Sequence, residues 1–182
     1  MKVRLPNIDE LPAFGDAPEP IKDFMRASRS IEDETDRGAA LAIAARLDEI
    51  LLSILKNFFQ PTDASSSLCS GFNAPLGTFS ARASACMAIG LLLESEYEQI
   101  NVIRKIRNKF GHEWRPMTFE DASIRDLVMN LDHELPLSFG ADLPLRTHFT
   151  ASAINLLGRL MFRADQVTAY RLQTKCFGVS PK

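Results

Sequence analysis

Hydrophobic positions recur every three or four residues along most of the chain, and the strict alternation typical of strands is almost absent. The clearest repeat lies in the long segment from Arg37 to Phe59, which is closed by Pro61. Helices are predicted over residues 21–28, 37–59, 78–93, 96–110, 118–132 and 147–167. Mostly short connections join the amphipathic helices, so the sequence predicts an all-α fold, a mainly antiparallel multi-helix bundle.

Polar and helix-breaking residues divide the chain into segments. Four prolines within residues 1–20 predict an extended N-terminal arm, followed by a single helical-bundle domain over 21–170 and a C-terminal tail over 171–182. Small and polar residues predict a loop from 62 to 77, and prolines predict a long connection from 135 to 145.

Two short motifs predict where helices begin. Ser95 as N-cap with Glu98 three residues later matches a capping box, and Thr118 with Asp121 repeats the pattern. Gly111 is predicted to end the helix that the first of these boxes opens.

Composition narrows the class of protein. At 182 residues, with 46% hydrophobic and 24% charged residues, the chain suits one globular domain. No apolar run approaches the roughly 20 residues of a membrane span, and the first residues lack a signal peptide's apolar core, so a cytoplasmic protein is expected. The three cysteines are an odd number without CxxC spacing, and no metal site or cofactor is predicted. The net charge of -2 argues against a strongly basic duplex-binding surface.

Two arginines are predicted to point inward. At about 100° per residue, Arg107 lies roughly 20° from Ile100 and 40° from Ile103 around its helix. Arg82 has the same kind of position in the preceding helix. An unpaired buried charge costs several kcal/mol, so a carboxylate is needed, and Asp48 at the edge of the long helix's apolar stripe is the predicted partner. Three interpretations stay open: a structural ion-pair network, arginines at the end of the bundle whose charged groups reach water along their own stems, or a binding site that faces a ligand.

The segment "RNKFGH", residues 107 to 112, resembles the R-x4-6-H motif of the HEPN superfamily, helical-bundle proteins that include metal-independent endoribonucleases. The resemblance implies that Arg107 stabilises charge on a phosphate oxygen, Asn108 orients the site, and His112 moves protons during attack by a 2'-hydroxyl. Such sites usually form between two subunits, so a homodimer and an RNA or nucleotide ligand are implied as well.

The same residues also fit a simpler interpretation. Gly111 and His112 match an ordinary helix C-terminus, where a histidine is stabilised by the helix dipole. Trp114 is expected to cover the end of the bundle rather than to stack on a base. His133 and His148 have no metal-ligand partner four residues away and are expected at the surface or as caps.

A second resemblance covers more of the chain. The segments "APLGTFSAR", "AIGLL", "SEYE" and "IRKIRNKFGH", between residues 74 and 112, are similar to the core of the mannitol operon repressor family of bacterial regulators. That family carries a Ser-x-Arg step, here Ser80 and Arg82, and a later arginine and histidine at the positions of Arg107 and His112. The resemblance implies an all-helical fold and a role in regulating gene expression.

The way in which such a regulator acts is a separate question. No pair of predicted helices has the short turn of a helix-turn-helix, and no helix has a basic face suited to the major groove. A transcriptional repressor that acts through a protein partner is therefore the favoured function. The HEPN-like ribonuclease, or an RNA- or nucleotide-binding module, is the alternative.

Overall fold

The computed structural model describes residues 17–131 and 143–174 of the chain. Within those ranges the chain is helical and contains no strand, which confirms the predicted all-α fold. The helices are α1 (Glu19–Asp33), α2 (Asp36–Phe58), α3 (Asp63–Cys69), α4 (Phe79–Ala88), α5 (Glu94–His112), α6 (Ala122–Val128), α7 (Leu145–Leu160) and α8 (Arg163–Thr168). In the described part of the chain, no helix is both long and apolar enough to cross a membrane.

The long helix α2 is the centre of the bundle. It packs against α1, α3, α4, α5, α7 and α8, and nine of its residues are buried. Beside it, Phe110 of α5, Phe119 and Phe149 of α7 form a buried aromatic row, with ring centroids 5.2 and 4.7 Å apart. The core therefore lies along one face of α5 and around most of α2.

Polar contacts fix the end of the bundle where α2 and α7 begin and α1 and α5 end. Asp36 accepts hydrogen bonds from Arg146 at 2.6 Å and from the backbone N–H of Phe119 at 3.0 Å. Arg146 also donates to the carbonyls of Ile31, Glu32 and Glu34 at the end of α1. Since α5 ends where α2 begins, the two helices run antiparallel.

The predicted first helix was too short. It begins at Glu19 rather than Ile21 and continues to Asp33, with Pro20 in its first turn. Proline is tolerated there because the first helical N–H groups have no partner within the helix. Residues 1–16 and 175–182 of the predicted arm and tail lie outside the described residues.

The boundary between α4 and α5 also differs from the prediction. Helix α4 ends at Ala88 instead of Leu93, because Gly90 has φ of +74° and completes a Schellman turn. In that turn the N–H of Leu91 donates to Cys86 O at 2.8 Å and the N–H of Gly90 donates to Met87 O at 3.1 Å. Helix α5 then begins at Glu94.

The capping and end of α5 were wrong in detail. Glu96, not the predicted Ser95 and Glu98 pair, accepts the N–H of Leu93 at 3.0 Å. Gly111 does not end the helix, which continues to His112.

Three further elements were missed or misplaced. The predicted 62–77 loop contains α3, which Thr62 and Ser65 cap reciprocally. Helix α6 begins at Ala122, because Asp121 folds back to accept the N–H of Thr118 at 2.6 Å. The predicted 147–167 helix is broken at Met161 and Phe162 into α7 and α8. Most of the predicted 135–145 connection lies outside the described residues.

Candidate functional site

Asp48 and Arg82 form the predicted ion pair between α2 and α4. A guanidinium nitrogen of Arg82 lies 2.7 Å from Asp48 Oδ2, and its Nε donates to Leu76 O at 2.9 Å. The Arg82 side chain is 12% exposed and that of Asp48 is 30% exposed. Arg82 therefore ties the loop before α4 to the central helix, and the pairing prediction is confirmed.

One oxygen of this pair is not satisfied by protein. Asp48 Oδ1 is buried and accepts no hydrogen bond from the residues that the structure describes. A carboxylate oxygen in that position costs free energy unless a further donor reaches it. The role of Asp48 and Arg82 in ligand binding stays a prediction.

Arg107 does not point inward, and that prediction was wrong. Its side chain is exposed, and its guanidinium donates to Asn108 Oδ1 at 3.0 Å. Ile103, Phe110 and Ile106 lie about 40°, 60° and 100° to one side of it, and the buried Ile100 lies about 20° to the other side. Arg107 is therefore near the edge of the buried arc and five residues before the end of α5, where a long side chain reaches water.

His112 is the last residue of α5 and is exposed. Positions five residues apart in one helix lie about 140° apart around its axis, so Arg107 and His112 leave the helix in different directions. The catalytic assignment of Arg107, Asn108 and His112 stays a prediction. Within one chain, the helical geometry directs the side chains of Arg107 and His112 away from each other.

A shallow groove of about 550 Å³ runs along the outer face of α5. It is lined by Met87, Glu94, Tyr97, Glu98, Asn101, Val102, Lys105 and Asn130. This groove was not predicted from the sequence. The available signal was the polar stripe of Glu94, Glu98, Asn101 and Lys105, which recur at helical spacing on one face.

Tyr97 links the groove on α5 to helix α4. Its hydroxyl lies 3.2 Å from Ser84 Oγ on α4. Hydrogen bonding with Ser84, and secondly with Asn101, lowers the pKa of the Tyr97 phenol. These contacts fix the wall of the groove between α4 and α5.

A buried ion pair joins α5 to α8. Glu96 is 1% exposed, and its Oε1 lies 2.9 Å from a guanidinium nitrogen of Arg163, which also donates to Leu91 O at 2.9 Å. Glu96 and Arg163 lie 67 residues apart in sequence, and their pairing was not predicted from the helical wheels. Their location within the packing between helices is that of a structural contact.

Other sequence predictions have mixed outcomes. Trp114 does not cover the bundle end: it is 82% exposed. His148 is buried, not at the surface, while His133 lies outside the described residues. Cys86 is buried as core, and burial raises the pKa of its thiol to about 12. Across residues 17–131 and 143–174, no cluster of three or more histidine, cysteine or carboxylate side chains is arranged to hold a metal.

Known proteins were compared with this chain by sequence and by fold. Neither the protein-family profiles nor the curated protein sequences give a match. The fold is similar to that of MtlR in the X-ray structure of the MtlR-HPr complex from Escherichia coli, with a TM-score of 0.63. The match covers 75% of this chain and 97% of the other, at 19% identity. The fold expected from the mannitol operon repressor resemblance is therefore confirmed.

Proposed function

We propose that this protein is a regulator of gene expression of the mannitol operon repressor type, which acts through a protein partner rather than by binding operator DNA. The fold shared with MtlR over nearly all of that chain carries the proposal. The motifs between residues 74 and 112 support it from the sequence.

The partner is proposed to be a small protein of the HPr kind. The similar MtlR structure was solved as a complex with HPr. In this chain the groove on α5 offers a candidate surface for such a partner, with apolar Met87 and Val102 among the charged Glu94, Glu98 and Lys105. Apolar contacts surrounded by polar groups are typical of interfaces between proteins that also exist apart.

Two of the short helices, α3 and α6, have few basic side chains that could contact operator DNA. Helix α3 has no lysine or arginine, and α6 has only Arg125, which lies near Glu120 at 3.5 Å. A recognition helix in the major groove needs several donors on one exposed face. Neither α3 nor α6 meets that requirement.

Calorimetric titration with HPr tests the proposal. We expect measurable binding to the HPr of the organism that encodes this chain, and weaker or equal binding to E. coli HPr. Replacement of Asn101 by arginine places a bulky cation in the middle of the groove and should weaken binding at least tenfold.

The matched control is Asn155→Arg, which makes the same change at an exposed position of α7 away from the groove. It should bind as the wild type does. Absence of heat with either HPr at the highest soluble concentration would contradict the proposal. Equal weakening by both variants would exclude the groove as the contact surface.

A further inference from the structure

The last part of α5 carries an unbroken run of positive charge. Arg104, Lys105, Arg107 and Lys109 fall within six residues, and Arg115 follows just after the helix. No carboxylate occurs between Glu98 and Glu113. Arg107 leaves the helix about 160° from Lys105 and Lys109, so we name the other four cations, Arg104, Lys105, Lys109 and Arg115, together with Trp114, the basic end of α5.

Several exposed cations elsewhere in the chain have acidic neighbours. Arg26, Arg46 and Arg125 each lie within 4.0 Å of a carboxylate. In contrast, no described carboxylate lies within ion-pair distance of Arg104, Lys105, Arg107 or Lys109, although Arg104 and Arg107 contact the amides of Asn101 and Asn108. The basic end is therefore uncompensated within the described part of the chain.

Trp114 is the one tryptophan of the chain and is 82% exposed. The guanidinium of Arg115 lies 5.3 Å from the centroid of its ring. Large aromatic side chains normally bury much of their surface, so a ring that is exposed beside a guanidinium needs a reason.

The turn that carries Trp114 is held from the core side. Arg37 of α2 donates to the carbonyl of Glu113 and, at 3.1 Å, to that of Arg115. The Glu113 carboxylate accepts the N–H of Arg115 at 3.0 Å and is thereby directed to the backbone. The residues on both sides of Trp114 are fixed, so the ring is presented to solvent on an ordered turn.

The helix dipole does not account for this arrangement. Cations near a helix C-terminus are favourable, but the effect falls off within the last turn. That argument covers Lys109, whereas Arg104 and Lys105 lie more than one turn before His112. The helix dipole also gives no reason for the exposure of Trp114.

We propose that the basic end of α5 binds single-stranded nucleic acid, with its cations against the phosphates and Trp114 stacked on a base. Unpaired bases stack on aromatic rings without regard to sequence, and cations beside the ring neutralise the backbone. A helix surface with one projecting ring suits a flexible strand better than a paired duplex, whose bases are already stacked. Lys105 also lines the groove, whereas the other members of the basic end do not, and the proposal does not rest on the proposed function.

Fluorescence of the full chain provides the test, because Trp114 is its one tryptophan and reports directly from the site. The probes are oligo(U) and oligo(dT), added at low salt with duplex DNA in parallel. We expect quenching by the single strands, and four phosphate contacts predict a roughly 50-fold loss of affinity between 50 and 200 mM salt. Oligo(U) and oligo(dT) distinguish RNA from DNA as the source, and quenching by either supports the proposal.

Variants separate the two parts of the site. Lys105→Gln with Lys109→Gln should roughly halve the salt dependence of binding. The matched control is Arg46→Gln with Arg125→Gln, which removes the same charge from cations that lie beside carboxylates, and it should leave binding unchanged. Trp114→Ala should weaken binding about fivefold or more when binding is followed by anisotropy of a labelled strand, and Trp114→Phe should recover most of it.

Three outcomes would overturn the proposal. The first is tighter binding of duplex DNA than of either single strand. The second is equal binding of polyglutamate with no change in Trp114 fluorescence, which would make the basic end a site for acidic protein segments. The third is no quenching by oligonucleotides at low salt while circular dichroism shows the folded helical chain.

Discussion

Arg82 and Arg107 have nearly the same position on their helical wheels and opposite environments in the fold. Arg82 is 12% exposed and paired with Asp48 across the contact between α4 and α2. Arg107 is exposed and contacts its neighbour Asn108. Most of the buried residues of α5 lie to one side of Arg107, and Arg107 is near the end of the helix, so its side chain can leave the packed surface. The difference teaches that angular position alone does not bury an arginine: a partner across the interface is needed as well.

The largest expected effect is the loss of stability when the mostly buried pair of Asp48 and Arg82 is broken. Asp48→Ala leaves the Arg82 guanidinium without its carboxylate in a mostly buried position. Because Asp48 keeps some exposure, we expect a loss of about 2–3 kcal/mol in the free energy of unfolding, below the value for a fully buried pair. Urea denaturation followed by circular dichroism measures it.

Two controls make this result specific. Glu49→Ala removes the neighbouring carboxylate, which is 67% exposed and pairs with Arg46, so it should cost less than about 0.5 kcal/mol. Asp48→Leu combined with Arg82→Met replaces the pair by apolar groups and should recover much of the lost stability. Equal losses for Asp48→Ala and Glu49→Ala would show that the pair contributes as a surface contact does.

Arg107 provides the smaller stability effect. Arg107→Ala removes an exposed side chain whose described hydrogen bond goes to an adjacent residue, so stability should change by less than about 0.5 kcal/mol. The same urea titration detects the change. A loss comparable to that of Asp48→Ala would mean that Arg107 packs inward in solution, as its wheel position predicts.

The smallest expected effect concerns catalysis. Since Arg107 and His112 leave α5 about 140° apart, we expect no cleavage when the protein is incubated with mixed RNA in EDTA, and no difference in His112→Ala. Gel analysis of the RNA measures the cleavage. Sedimentation of the protein determines whether a homodimer is present. Cleavage that leaves 2',3'-cyclic ends and disappears in His112→Ala would instead support the HEPN-like ribonuclease.

Local sequence was sufficient for the fold class and for one pair of residues. Helical spacing of apolar residues identified α2 because it packs against neighbours on most sides, and the same spacing brought Asp48 and Arg82 to facing edges. Helix ends were harder to place. Gly90 ends α4 because the chain adopts positive φ there, whereas Gly111 stays helical, and both are glycines in similar surroundings.

Contacts between distant segments could not be obtained from local patterns. Arg146 meets Asp36 across 110 residues of sequence, and Arg163 meets Glu96 across 67. The exposure of Trp114 depends on the donation from Arg37 to the turn around it, which is likewise non-local. The groove on α5 needs both α4 and the end of α6, so its polar stripe becomes a site only in the folded chain.

Transcript levels test the central claim most directly. We expect that deletion of the gene raises the transcripts of the genes that it represses, measured across the whole transcriptome, that the wild-type chain and Asn155→Arg restore repression, and that Asn101→Arg does not. Transcript levels that are unchanged by the deletion, or restored equally by all three chains, would contradict regulation through the α5 groove.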